Sequence, residues 1–544
     1  MLLISAVIRS SLIALIVLAT ASTSLAHERP HANVIKASAP DAPLLGHIVF
    51  PTSATVPAAQ AAFIRGMLLL HLFEYERAHD AFIEAQKLEP DFAMAYWGEA
   101  MTYNHPIWDQ QAREQALAAL HRLGASASAR ASKAHSTLER DFLTALDVLY
   151  GEGSKATRDL AYLHFMADMA RRYPDNHEVQ LFHALAYFGV HAGVRDIPDY
   201  LRAAAIAQDV FSANPQHPGA AHYLIHGVDD PLHAVLGLGA ARALAKLAPD
   251  AGHAQHMASH IFLELGMWDA LIQANRAALQ VSNQQLAQRG SPPRHTGHYN
   301  YWLLYGLLQT EQNADALILL EQAFADRHAS TEPPPGPLQL DADTSLTGSL
   351  VQMWARYLIE TRGWDNAVLD WQFELGDGSD PKLLVAFVRS MAGYRRGDAS
   401  SGQQWQQVFE REQTQLQQRI AVQTEVIPTD LQYLERLVVQ RKQLHAAAQM
   451  AAGKPADALA AAAEASELEG RMASSFGPPF IDYPAAELHG DLLREAGQPA
   501  LAVTAYRLQL QRSQGKRSVL LSLIGAAQSA NDMSTLQWAK QQMR

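Results

Sequence analysis

Two histidine pairs carry the densest chemistry in this sequence, His222-Tyr-Leu-Ile-His226 and His256-Met-Ala-Ser-His260. On a helix, residues four apart share a face with Cβ atoms about 5–6 Å apart, so each pair presents two imidazoles in one direction. Neutral imidazole nitrogen suits zinc, copper, iron or nickel, whereas magnesium and calcium call for more oxygen ligands. Neither pair carries the Glu of an H-E-x-x-H protease helix, so the spacing describes ligands and not a hydrolytic motif. One isolated pair would mean little. Residues 217–260, however, hold seven of the 24 histidines of the 544-residue chain. The second pair also repeats the first at an interval of 34 residues.

That interval is the period of a helix–turn–helix repeat, and the rest of the chain can be laid on it. Residues 59–92 place Gly66, Ala78, Phe82, Ala85 and Pro90 at positions 8, 20, 24, 27 and 32 of such a unit. Small residues let two helices approach, and Pro ends the second one. A further helix runs from residue 93 to about residue 103 and stops at Pro106. From 184 to 285 the frame runs without insertion. Pro215 and Pro249 hold position 32, and positions 20, 24 and 27 are Ala203, Ala207, Val210, then Gly237, Ala241, Leu244, then Leu271, Asn275, Ala278. After an insertion near residues 289–294 another unit carries Trp302, Leu304, Ala316, Leu320 and Ala323. Ala446, Gly453, Ala458, Ala462 and Ala465 fit one later unit, and Gly490, Gly497, Ala502 and Tyr506 fit another. On these residues the chain resembles the tetratricopeptide repeat (TPR) superfamily, and it is similar to exported bacterial members of unassigned activity. The resemblance implies an all-α fold, an α-solenoid of stacked helix–turn–helix pairs forming a superhelix with a concave groove. Residues 112–182 have helical periodicity, as at Phe142, Leu146 and Leu149, without the small-residue code.

The resemblance further implies that positions 2, 5, 9 and 12 of each first helix face the groove. His222 and His226 are then positions 5 and 9, and Asp229 is position 12. His253, His256 and His260 are positions 2, 5 and 9 of the next unit. After the insertion, His298 is position 2, with Tyr301 and Tyr305 at 5 and 9. The expected metal ligands are therefore His222, His226, His256, His260 and His298. Asp229, His253, Tyr301 and Tyr305 are expected as outer or groove residues. Neighbouring helix axes lie roughly 8–10 Å apart, which lets their imidazoles share one ion at about 2.0–2.1 Å per bond. The expected cofactor is a divalent transition metal, with copper and zinc the foremost candidates. His217 and His233 are read as packing residues, as are Trp97, Trp268 and Trp302. His71 and His105, at position 13 of their units, reach the groove only if the superhelix curls. The alternatives are histidines that hydrogen-bond an anionic or peptide ligand, and a packing histidine copied by repeat duplication.

The organisation follows from composition. Residues 1–26 read as a signal peptide, with Arg9, an apolar run from Leu12 to Ala19 too short to span a bilayer, and Ser24-Leu25-Ala26 as the cleavage site. The expectation is an exported chain, periplasmic or secreted, cut after Ala26. Its new terminal amine and His27 could chelate copper. Residues 27–57 read as a flexible arm, 58–330 as a first TPR-like lobe, 331–345 as a Pro-rich connection and 346–544 as a second TPR-like helical lobe. There is no Cys, which excludes disulfides, thiolate sites, a lipid-anchored Cys and thioether-linked haem. A formal charge of −12 speaks against nucleic acid and anionic membranes as partners, and no membrane span is expected in the mature chain. No Gly-rich phosphate loop is present, so no nucleotide is expected. The first functional expectation is an exported repeat protein that holds a protein or peptide in its groove and a transition metal at the histidines. The others are a metal-dependent enzyme, oxidising with copper or iron or hydrolysing with zinc, and a metal-free interaction scaffold.

Overall fold

Glycine at the helix crossings decides how this chain stacks. Gly66 and Gly98 lie against Phe82 from two different helices, and a Cβ on either would fall inside the ring's van der Waals envelope. Phe82, at position 24, thus fills the space that Gly66, at position 8 of its own repeat, and Gly98, at position 6 of the next, leave open. Replacing Gly66 with Ala overpacks this joint and should destabilise the protein by about 1–3 kcal/mol in thermal or urea unfolding.

A computed structural model describes residues 44–191, 193–423 and 426–543. Residues 1–26, read above as a signal peptide, and residues 27–43 of the expected arm lie outside the described residues. The fold is an all-α solenoid. In the part that bears the histidines, helix Pro218–Gly227 pairs with Ala234–Leu247, Gly252–Glu264 with Trp268–Gln288, and His298–Gln309 with Asn313–Ala329. Each helix packs on its neighbours in sequence, and the first helix of one pair also touches the first helix of the next. The exception to the helical pattern among the described residues is a two-residue antiparallel ladder, Asn104–His105 with Gln110–Gln111. Pro106 starts a 3-10 turn there, and Asp109 closes it at φ 55°.

Two features differ from the sequence expectation. From Leu44 onward the arm is not loose. Leu45, Ile48 and Phe50 are buried, Phe50 packs on Phe63 and Phe142, and the His47 amide donates to the Gln216 carbonyl at 2.9 Å. Three large apolar side chains in six residues are enough to anchor a segment that has no helical period.

The second difference concerns the groove. The superhelix curls until its own segments cover the inner face. Arg77 reaches the Asp250 carbonyl at 3.0 Å, and helix Pro57–His71 packs on Pro218–Gly227. From the other side the Trp268 indole donates to the Gly515 carbonyl at 3.0 Å. Arg356 donates to the carbonyls of Pro479 and Asp482 at 2.8 and 2.9 Å. The connection between helices Pro455–Arg471 and Ala485–Glu495 is thereby laid against the histidine helices, with Phe476 on His260 and Gly477 on Trp302. The paired histidines, expected along an open groove, are thereby buried beneath the chain's own segments.

Candidate metal centre

The two histidine pairs meet in the covered interior. His222, His226, His256 and His260 are 0–4% exposed. The helical register brings a third imidazole to each pair, from the first turn of the next repeat's first helix. His222, His226 and His253 form one cluster, and His256, His260 and His298 form the other. Within each cluster one nitrogen per ring lies within 4.8 Å of the others. The clusters adjoin, since the His226 and His260 rings are 5.8 Å apart between centroids and the His253 and His256 rings 6.1 Å. The insertion before His298 does not break the pattern. Gly297, at φ 98°, a conformation strained for an L side chain, turns it into the helix.

The second cluster is fully orientated. His256 Nδ1–H donates to Asn275 Oδ1 at 2.7 Å, and the amide is fixed by its own donation to the Leu271 carbonyl at 2.9 Å. His260 Nδ1–H donates to Asp229 Oδ2 and His298 Nδ1–H to Asp343 Oδ2, both at 2.6 Å. All three Nε2 atoms turn inward. His256 Nε2 lies 3.0 Å from His260 Nε2 and 3.0 Å from His298 Nε2. Histidines whose other nitrogen is held by a carboxylate or carbonyl are the usual ligands of a metal. Two nitrogens bound at about 2.0–2.1 Å to one ion stand ~2.9 to ~3.5 Å apart for bond angles of roughly 90–120°.

Protonation sharpens the point. Burial, then the neighbouring His298 and His260, push the His256 pKa well below the ordinary range, so its imidazole is neutral at pH 7. With Nδ1 carrying the hydrogen, Nε2 holds one bare lone pair. Burial opposes charge on His298 too, but Asp343 and Asp341 raise its pKa. A single lone pair accepts a single hydrogen, so His256 Nε2 can bond to one of the two nitrogens that face it and not to both. The other faces it at the same 3.0 Å without a bridging hydrogen, and a shared cation satisfies all three.

The first cluster is built less completely. His222 Nδ1–H donates to the His71 carbonyl at 2.7 Å, leaving Nε2 bare and 3.1 Å from His226 Nε2. A hydrogen on His226 would satisfy that pair alone. The third member, His253, has its Nε2 buried with no hydrogen-bond partner among the described residues. Burial, foremost, and adjacent imidazoles lower the pKa values of His226 and His253 far below the ordinary range and that of His222 to about 3. These rings are therefore neutral donors at physiological pH.

Aromatic rings close both clusters. Phe73 touches all three rings of the first, at 4.4, 5.8 and 5.7 Å from His222, His226 and His253. It does so from φ 56°, a conformation rare for a bulky residue. Trp302 touches all three rings of the second, at 4.8, 4.4 and 5.6 Å from His256, His260 and His298.

The remaining expected residues fall as follows. Asp229 holds His260, with its second oxygen buried and unpartnered among the described residues. Tyr301 and Tyr305, in the repeat positions that the paired histidines occupy earlier, serve Arg356 instead. The Tyr301 hydroxyl accepts from its guanidinium at 2.9 and 3.1 Å, and the Tyr305 ring lies beneath it. His71 comes close through its backbone, while its ring joins His217 and Glu178 in a separate buried triad. Glu178 accepts from His71 Nε2 at 2.7 Å and His217 Nε2 at 3.1 Å. Burial alone would raise the Glu178 pKa, but the two imidazoles lower it instead. This carboxylate fills the space between the rings. Asn275, Asp343, Phe73 and the His71 carbonyl were not anticipated as contributors. Trp302 was expected only as core.

The 34-residue register, the small residues at the crossings and the stacked hairpins agree. The chain is a TPR-like helix-pair solenoid. No family model matches it, and no curated protein does. Among solved structures it is similar to yeast Tom70 (11% identity over 88% of this chain and 96% of that one, TM-score 0.33). It is similar also to the Cut9–Hcn1 hetero-tetramer of the APC/C (12%, 86% and 76%, 0.32), and to a human IFIT1 dimer (11%, 87% and 94%, 0.28).

Proposed function

We propose that this protein holds a pair of transition-metal ions, one in each three-histidine cluster, inside a closed repeat solenoid. The observation that carries the reading is His256 Nε2, a bare nitrogen with two other imidazole nitrogens at 3.0 Å. The donor set is nitrogen only, which fits copper or zinc better than a hard cation. Three protein ligands per ion differ from the four of a closed structural zinc site. An exported location, expected from the N-terminal pattern, accords with a metal site built without thiolates.

A second reading, chemistry on a small molecule at these ions, is favoured by one feature. A cleft of about 430 Å³ is lined by Leu263, Glu264, Trp268 and Gly477 among others. Leu263 and Glu264 follow His260 along its helix, and Gly477 follows Phe476.

The test is metal content by mass spectrometry on the full-length protein purified without a His-tag. Two ions per chain are expected. The His256→Ala, His260→Ala variant should lose the ion of the second cluster, and the His222→Ala, His226→Ala variant that of the first. Circular dichroism confirms that each variant is folded. A folded wild-type protein that retains no ion after equilibration with copper and with zinc would overturn the proposal.

A further inference from the structure

We infer that the two ions are copper in its +1 state. This rests on the paired-site reading above and adds the identity and charge of what the sites hold.

The first argument is charge. The carboxylates hydrogen-bonded to the six imidazoles are Asp229 and Asp343. Of the other nearby carboxylates, Asp230, Glu178 and Glu74 have partners of their own. Asp230 pairs with Arg195 at 3.2 Å, Glu178 serves His71 and His217, and Glu74 pairs with Arg77 at 3.4 Å. Asp341 accepts the backbone N–H of Asp343 at the rim. Glu264 is buried one helical turn past His260, and burial, then the Asp229 charge, raise its pKa well above the ordinary range. Two monovalent ions match in number the two carboxylates bonded to these rings, both of which stand at the second cluster beside the first. Two divalent ions would leave two positive charges uncompensated in a largely desolvated interior, a costly arrangement.

The second argument is coordination. A divalent zinc seeks four ligands and copper(II) a tetragonal set, whereas copper(I), a d10 monovalent ion, accepts three nitrogens. An aromatic ring lies against all three imidazoles of each cluster. Phe73 covers the first cluster and Trp302 the second, each in contact with all three imidazoles. Such caps exclude the water or hydroxide that a divalent ion would recruit, and their faces are attractive to a cation. The backbone of Phe73 is held in an unfavourable conformation, and strain of this kind persists only where surrounding structure enforces it. His298 is the exposed edge of the arrangement, with a side chain 33% accessible beside Asp343 at 30%. This rim, at the entrance to the second cluster, is where an ion would enter.

The experiment titrates full-length apoprotein anaerobically with copper(I) against bicinchoninate, with zinc(II) and copper(II) in parallel, and counts ions retained after desalting. Two copper(I) per chain, with neither divalent ion retained as a pair, is the expected result. Phe73→Asn removes one cap and suits the left-handed backbone. It should keep the fold, checked by its melting curve, and gain retention of one zinc per chain. Two zinc or two copper(II) retained in preference to copper(I) would overturn the assignment while leaving the paired site intact. A folded protein retaining none of the three overturns both.

Discussion

Replacing Lys516 with Met will cost about 3–5 kcal/mol of stability at pH 7, the penalty for leaving buried anions without their cation. Lys516 is fully buried. Its ammonium lies 2.7 Å from Glu360 and 3.0 Å from Glu487, whose side chains are 2% and 0% exposed. Arg362 reaches Glu487 at 2.5 Å and Arg356 reaches Glu360 at 3.3 Å. These residues come from three places, helix Leu346–Thr361, helix Ala485–Glu495 and the residue that begins helix Arg517–Ser529. The cluster bolts the last repeats to the middle of the solenoid. Arg356 also carries the carbonyls that hold the Phe476 connection over His260.

The effect has a pH signature. Burial would raise the Glu360 pKa, but Lys516 and Arg356 override it and bring it down from 4.5 to about 2. A depressed carboxylate contributes stability that is complete above its unfolded value and is lost as pH falls through the folded one. The wild-type protein therefore loses this contribution between about pH 4.5 and 2. The variant, which lacks it already, should lose less over that window. Urea unfolding at pH 7 and pH 3 measures both numbers, and a gap between the two proteins that does not narrow in acid would contradict the account.

Asn275→Leu will separate metal binding from folding. Asn275 sits at position 24 of its repeat, where the other repeats place Phe82, Ala207, Ala241 and Leu320. It is fully buried and accepts the Nδ1 hydrogen of His256. Leu suits the packing position but leaves that N–H only the Ser259 hydroxyl at 3.4 Å, at about 1–3 kcal/mol. It also frees the ring to turn, so affinity at the second cluster should fall about 10–100-fold. The first cluster should keep its ion, which a competition titration of the variant would show. Equal loss at both clusters would mean that Asn275 supports the fold and not one site.

Asn275 also shows what was legible in the chain and what was not. A polar residue at an apolar repeat position was visible in the spacing, and its neighbour on the adjoining helix is a histidine. The register placed His222, His226, His256, His260 and His298 on adjoining helices because solenoid packing depends on local contacts. His253 occupies the same repeat position as His298, so the same register carried its place beside the first pair. Asp343 could not be found in this way. It reaches His298 across the Pro-rich stretch, where no repeat frame connects the two. The covering of the inner face was equally hidden. Residues 476–484, with Gly477 and three prolines, carry no repeat frame, and their docking on Trp302 and His260 depends on a curl that accumulates over many repeats. Tyr301 and Tyr305 fit the frame as well as the histidines do, but Arg356, which takes both of them, lies on a later helix.

Helix Gly252–Glu264 gives two nitrogens to its own cluster and one to the cluster before it. The arrangement is a relay of hands, in which a row of helices encloses one fewer cluster than it has members. Three consecutive helices enclose two. Tyr301 and Tyr305 end the row, since the helix that begins with His298 passes its one nitrogen backward and keeps none for a cluster of its own. The separation between clusters is thus set by the step from one repeat to the next, and a chain of this kind could lengthen its row by copying a repeat without redesigning any cluster.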